Sequence, residues 1–333
     1  YDHFVQFGIN EERPSTPKFD PDFYASNNQD VVDALGSDAG ALWGHYVSSG
    51  ASEGRSPAEG ETPPDSGFDG DTFTLTDSID NLTGTGANDL FIGDDQGGVG
   101  NSPIDAGDGV NGAGGDDLLE LTFGGVATPT LNSSNVETHQ VQSLGGAVNF
   151  NSINSTDVET LEDFRSTNNV QFSNVQELAT VRSVGAEADT TPNHTYTVNF
   201  ASSLVSGALG VELQDANLTG LNVGDGTTGE FATLDIDLTG DNNVNDINRG
   251  NGSNYAGGTL TTVNFTGDGT YTQGGVLEQV TTINAAENTG GVTVTIDDGV
   301  DVSFTGGTGA DSVDVTATDG NNDNGVDSND SLD

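Results

Sequence analysis

The sequence predicts a mostly β fold: an irregular β-solenoid or β-roll with a small α-helical N-terminal module. Composition is the first reason. Of 333 residues only 32% are hydrophobic and 7% aromatic, while 48 are glycine, too little apolar material for one large core. Alternation is the second: runs such as VTVTI over residues 292–296 put every other side chain on one face, the pattern of a half-buried strand. The third is recurrence. Similar phrases return as VETHQV at 136, VETLED at 158, VQELAT at 175, ATLDID at 232, LTTVNF at 260 and VTTINA at 280. Strand-sized phrases repeating every ~20 residues describe stacked coils, each burying its apolar positions on the next. The wider interval 181–231 reads as further degenerate coils, with YTVNF at 196 and GVELQ at 210, or as an insertion projecting from the stack.

Residues 1–60 differ from the rest. They hold Trp43, the single tryptophan, and Arg13, Lys18 and Arg55, three of the six basic residues. YDHFVQFGINEERP from residue 1 aligns with WGHYVSSGASEGRS from residue 43, matching His3 with His45, Gly8 with Gly50 and Arg13 with Arg55. Between the copies, FDPDFYASNNQDVVDAL (19–35) is a helix candidate, with Asp20 as N-cap, Pro21 in the first turn and Phe23, Tyr24, Val31, Val32 and Leu35 as an apolar face. Residues 1–60 are thus expected to form helical repeat modules, with His3 and His45 as packing residues, and 61–71 a linker rich in Pro, Gly and acid. Because the chain opens inside a repeat unit, it reads as a segment of a longer protein.

Charge narrows the partners. With 53 Asp and Glu against 6 Lys and Arg, the net charge is −47. Self-repulsion of that size opposes compaction unless cations bind the folded state. No nucleic acid is expected as a partner, since backbone binding needs clustered Lys and Arg. No membrane insertion is expected either, because no apolar run approaches the ~20 residues of a spanning helix. The absence of Cys is compatible with an exported protein.

One kind of motif points to a ligand. Residues 306–314, GGTGADSVD, fit the nonapeptide G-G-x-G-x-D-x-U-x, in which glycines shape a tight turn and Asp supplies a hard oxygen for calcium. GTGANDLF (84–91) puts Asp89 and Phe91 in the same roles, and NGAGGDDLLEL (111–121) puts Asp117 and Leu119 there; Asp94, Asp95, Asp105 and Asp108 lie between. Calcium takes about six to eight oxygens, so adjacent turns would have to share an ion. The expected ligands are Asp89, Asp94, Asp105, Asp108, Asp117 and Asp311, and the expected class becomes a calcium-stabilised β-solenoid or β-roll. A competing reading needs no metal: Gly-Asp turns simply close the chain on itself. The tail places Asp319, Asn321, Asp323 and Asp330 at EF-hand spacing, but Asn324 stands where that loop needs Gly.

Apparent enzyme motifs fail on context. GASEG (50–54) carries Ser52 in a repeat terminus, not in a strand-to-helix elbow, and GDGVNG (107–112) and GDGTTG (224–229) have no helix to follow them. After residue 60 only Arg165, Arg182 and Arg249 remain, read as ion-pair partners in an acidic field.

TFTLTDSIDNLTGTGANDLFIGDD (72–95), DAGDGVNGAGGDDLLELT (105–122) and VTTINAAENTGGVTVTIDDGVDVSFTGGTGADSVDVTA (280–317) together resemble the repeat region of calcium-dependent surface-layer proteins and related RTX-type proteins of Gram-negative bacteria. The resemblance covers most of 72–317, and the 19–57 module is similar to the short helical repeats at the front of such type I-secreted proteins. It implies an RTX-like calcium-binding β region over 72–125, an irregular β-solenoid over 126–317, and an acidic tail or a further repeat over 318–333. It also implies calcium-dependent folding outside the cell and self-assembly at the cell surface. The expected function is a non-enzymatic, calcium-binding, self-assembling subunit of an extracellular coat or filament. Its partners would be copies of itself and cell-surface polysaccharide. An adhesin or biofilm matrix protein is the second reading, and a β-helical polysaccharide-active enzyme the third.

Overall fold

The structure, a computed structural model, describes residues 21–29, 31–32, 36–37, 41–42, 69–95, 103–186, 191–253, 258–277, 279–297, 301–316 and 331–332. The chain divides into two units, Tyr1–Asp69 and Gly70–Asp333. In the first, Pro21–Asn27 is an α-helix with Asp22 in its first turn. Pro21 lacks an N–H that a helix start leaves unpaired anyway. Tyr24, Val31 and Leu42 are buried, and Asn28 Nδ2 donates to the Tyr24 carbonyl at 2.9 Å. His3, His45, the rest of the aligned copies and the 61–68 stretch of the expected linker lie outside the described residues.

The second unit is mostly β. Among the described residues its strands alternate in chain order between opposing sheets, except that Asp241–Val244 and Ile247–Arg249 both pair with Asn217–Gly224 in one sheet, and the strand pairings are parallel. One sheet has twelve strands, beginning Thr72–Thr74, Leu90–Asp95, Leu118–Phe123, Thr138–Ser143 and Thr160–Phe164. Facing it, a three-stranded sheet (Asn81–Thr83, Gly109–Asn111, Asn132–Ser134) gives way to a nine-stranded one that starts at Val148–Asn151. Parallel neighbours separated by a strand on the other face mean that each turn of chain makes one coil, the architecture of a solenoid. Coil length varies, as the expected irregularity required: equivalent positions are 18 residues apart at Asp71 and Asp89, 28 at Asp89 and Asp117, and 20 at Asp117 and Glu137. The interval 181–231 contributes rungs, His194–Phe200 and Ala208–Gln214, and not an insertion.

Alternation decides what is buried. Val292–Asp297 and His194–Phe200 bury every second residue. The core is one column-like cluster, thin enough for side chains from one sheet to touch the other. Tyr196 OH donates across it to the Leu161 carbonyl at 2.7 Å, and Phe265 meets Tyr271 at 4.7 Å between ring centroids. Along the stack Phe150, Phe172 and Tyr196 follow one another at 5.8 and 6.2 Å. Each fully buried ring contributes roughly 1.5–3 kcal/mol, and a coil deprived of its neighbours would lose that.

The corner before the long sheet is built repeatedly. Gly115, Asn135, Asp157 and Gln279 each stand three residues before one of its strands and each has positive φ; Gly, Asn and Asp tolerate that region best. The corner also shows that phrase recurrence does not fix the turn: VETLED and VQELAT begin 17 residues apart, yet Thr160 pairs with Thr180, 20 residues on.

Candidate functional site

The conspicuous chemistry of the second unit is a set of carboxylates placed just before strands. Asp71, Asp89, Asp117, Glu137 and Glu159 each immediately precede a strand of the long sheet, and Asp80 and Asp108 a strand of the short one. The first N–H groups at such corners have no ladder partner, and an unpaired buried N–H is costly. The Asp80, Asp89, Asp108, Asp117 and Glu137 carboxylates supply acceptors.

Asp89 is fully buried. Its Oδ2 accepts from Thr85 N–H of its own turn at 2.5 Å, and its Oδ1 from Asp71 N–H of the preceding coil at 2.5 Å. Asp108 repeats the pattern, taking Asp105 N–H at 2.6 Å and Asp80 N–H at 2.9 Å. Asp311 takes Gly307 N–H at 2.9 Å and Val292 N–H at 2.8 Å. Each side chain therefore closes its own turn with one oxygen and staples the previous coil with the other. Later coils use amides instead: Asn242 Oδ1 accepts from Ala216 N–H at 2.9 Å while its Nδ2 donates to Thr270 O at 3.1 Å.

Asp117 is the exception. Its Oδ1 accepts from Asp89 N–H at 2.6 Å, but its Oδ2 is buried without a partner. The corresponding turn amide, Ala113 N–H, is turned away in a left-handed residue (φ 73°) and donates to Asn111 Oδ1 at 2.9 Å. Burial raises the Asp117 pKa to about 6, opposed by the Asp89 N–H and reinforced by Glu137, Asp89 and Asp116. Asn135 O and Asp117 Oδ2 both lie within 2 Å of where a Gly112 Cβ would stand, which leaves two acceptors facing each other across a glycine.

The six expected calcium ligands thus fall in three settings. Asp89 and Asp117 meet on successive coils, Asp105 and Asp108 share one turn, and Asp94 and Asp311 stand apart, Asp94 exposed on the strand Leu90–Asp95 and Asp311 on a late coil. Around Asp89, Asp108 and Asp311 the near partners are N–H donors, which suit a carboxylate and repel a cation; calcium needs about six to eight oxygens instead. Among the described residues, no three His, Asp or Glu side chains gather as a metal-holding group. The near donor set around these carboxylates fits stapling.

A polar cluster that sequence reasoning missed crosses the core. His194 Nε2 lies 2.6 Å from Asp163 Oδ2, and Ser183 Oγ donates to the same oxygen at 3.3 Å. All three are buried. The residue types are those of a hydrolytic triad, but the serine bonds the carboxylate and not the imidazole, so no base addresses a nucleophile. The cluster instead ties the long sheet to the nine-stranded one. Asp163 sits two residues beyond Leu161 on an inward register, and that register was the available signal.

Two of the late arginines are engaged as ion-pair partners. Arg182 contacts Glu162 at 3.1 Å and Glu212 at 3.6 Å on the outer face of the long sheet, and Arg249 pairs with Glu230. Arg165 lies over the Phe164 ring at 5.0 Å. Burial raises the Glu162 pKa, against the pull of Arg182 and Gln140.

No protein-family model, curated protein or solved structure matches the chain.

Proposed function

We propose that the protein is a non-enzymatic structural subunit of an extracellular coat or filament, assembling with copies of itself. The observation that carries this reading is the use made of its functional-looking side chains. Carboxylates, core histidines and arginines are spent on holding coils together, in a stack whose repeating rungs make a long, stiff element. In this reading the surface resembles that of calcium-dependent surface-layer proteins in needing cations to offset a charge of −47. Calcium acts as counter-ion at outward carboxylates, Asp94, Asp235 and Asp237 among them, and not within the staples.

The test is assembly and fold measured separately, by negative-stain microscopy and far-ultraviolet circular dichroism, in calcium and in chelator at equal ionic strength. Regular polymer in calcium and dispersed, still β-rich chains in chelator are expected. Monomers under both conditions would refute the assembly reading.

A further inference from the structure

We infer that the protein carries a binding strip for an uncharged polysaccharide on the outer face opposite its long sheet, a site independent of self-assembly. Two cavities mark it. One, of about 530 Å³, lies on the nine-stranded sheet near its first strand and is lined by Asn149, Gln171, Thr195, Thr197 and Asn222, with Val126 and Ala147 at its side. The other, of about 350 Å³, lies on the short sheet over Asn81, Asn111, Asn132, Ser134, Asn154 and Thr156. Both fall in the size range of small-molecule sites. They flank the place where the short sheet gives way to the nine-stranded one.

What distinguishes them is charge. In a chain with 53 acidic residues, none of the described residues lining either cavity is charged. The opposite outer face, by contrast, carries Glu120, Glu162, Arg182, Glu212 and Asp237 in one register column. Amides and hydroxyls offer donors and acceptors together, as sugar hydroxyls do. A nucleic acid or acidic glycan would meet no cation there, and a basic ligand would be drawn to the acidic faces.

The arrangement is also periodic. Asn149, Gln171, Thr197, Asn222 and Asn248 occupy one register column on successive rungs, about 4.8 Å apart. Asn81, Gly109 and Asn132 form a second column, with Thr83, Asn111 and Ser134 beside it. A polymer of similar sugars lying across the rungs would meet the same groups at each step. Asn222 lies at the base of the first cavity at 9% exposure, where its Nδ2 donates to Thr197 Oγ1 at 3.1 Å and fixes the amide in place.

The full chain is titrated calorimetrically with neutral glucan, galactan and mannan oligosaccharides, and with polygalacturonate as an acidic control. Binding of at least one neutral glycan, unaffected by added salt, is expected. Asn149→Ala with Gln171→Ala should weaken it about tenfold or more, with Gln171→Ala alone read if the pair fails to fold, and Asp235→Asn should leave it unchanged. No binding by any neutral glycan, binding that salt abolishes, or binding indifferent to Gln171 would overturn the assignment. So would a pair variant that leaves glycans unaffected but stops polymerisation, since the strip would then be a contact between copies. Glycan binding by a chain that never polymerises would overturn the assembly reading and leave this one standing.

Discussion

Lowering the pH from 7 to 4 should loosen the coil that holds His139, by an amount set by where its ring sits. The ring is buried, in register between Leu119 and Leu161, and meets Phe150 edge-on at 5.7 Å. Ser133 Oγ lies 3.0 Å from Nε2, and Nδ1 has no partner. Burial alone lowers the pKa to about 4, against about 6.5 in an unfolded chain. The unfolded chain therefore takes up the proton first. Stability from the neutral ring is complete above about 6.5 and lost as the pH falls towards 4, a difference of about 3 kcal/mol. That is a large share of a typical domain stability of about 5–15 kcal/mol. Urea unfolding followed by circular dichroism across this range, for the native protein and His139→Leu, isolates the effect, because carboxylate titrations common to both cancel. The native protein should lose about 3 kcal/mol relative to the variant. Parallel pH curves would refute the burial argument.

Asp117 has the opposite sign: its folded pKa, about 6, lies above the ordinary aspartate value of 3.8, so the fold gains from protonation below that window and loses it as pH rises through 6. Asp117→Asn should melt higher than the native protein at pH 7 and show no advantage at pH 4; a lower melting temperature at pH 7 would contradict this. Asp89→Ala strands the Asp71 and Thr85 amides and should cost about 2–4 kcal/mol, read as lost hydrogen-exchange protection at both. Gly112→Ala would drive a methyl to 1.8 Å from the Asn135 carbonyl, whereas Gly114 has open space. Chemical denaturation should therefore show about 1–3 kcal/mol lost at Gly112 and a change within about 0.5 kcal/mol for Gly114→Ala.

Much of this fold was legible because its determinants are local. Period-two alternation at Val292–Ile296 and His194–Phe200 names the buried face directly, and recurring Val-Glu-Thr phrases mark the corner into the long sheet. The stapling partners were not legible, because they depend on register between coils. Nothing local in GTGANDLF says that Asp89 reaches Asp71, 18 residues earlier, while its own N–H donates to Asp117, 28 residues later. The same non-locality sets the corner at VQELAT: its Val and Glu mimic the Val-Glu-Thr phrase, but the pairing of Thr160 with Thr180 decides where the strand begins. His194 and Asp163 lie 31 residues apart, and only stacking brings them within reach.

Position resolves the tension between an acidic chain and a compact fold. A carboxylate placed one residue before a parallel strand faces N–H groups that the sheet leaves unpaired, so its charge meets partial positive charge from two coils at once. Asp89, Asp108 and Asp311 do this with both oxygens. The same acids spread over a helical surface would only repel. Where the turn amide faces elsewhere, as at Ala113, the carboxylate is left with an unpaired oxygen and a raised pKa. The glycine-rich turns and the acids are therefore one device: glycine lets the turn aim its amide, and the carboxylate makes that aim stabilising.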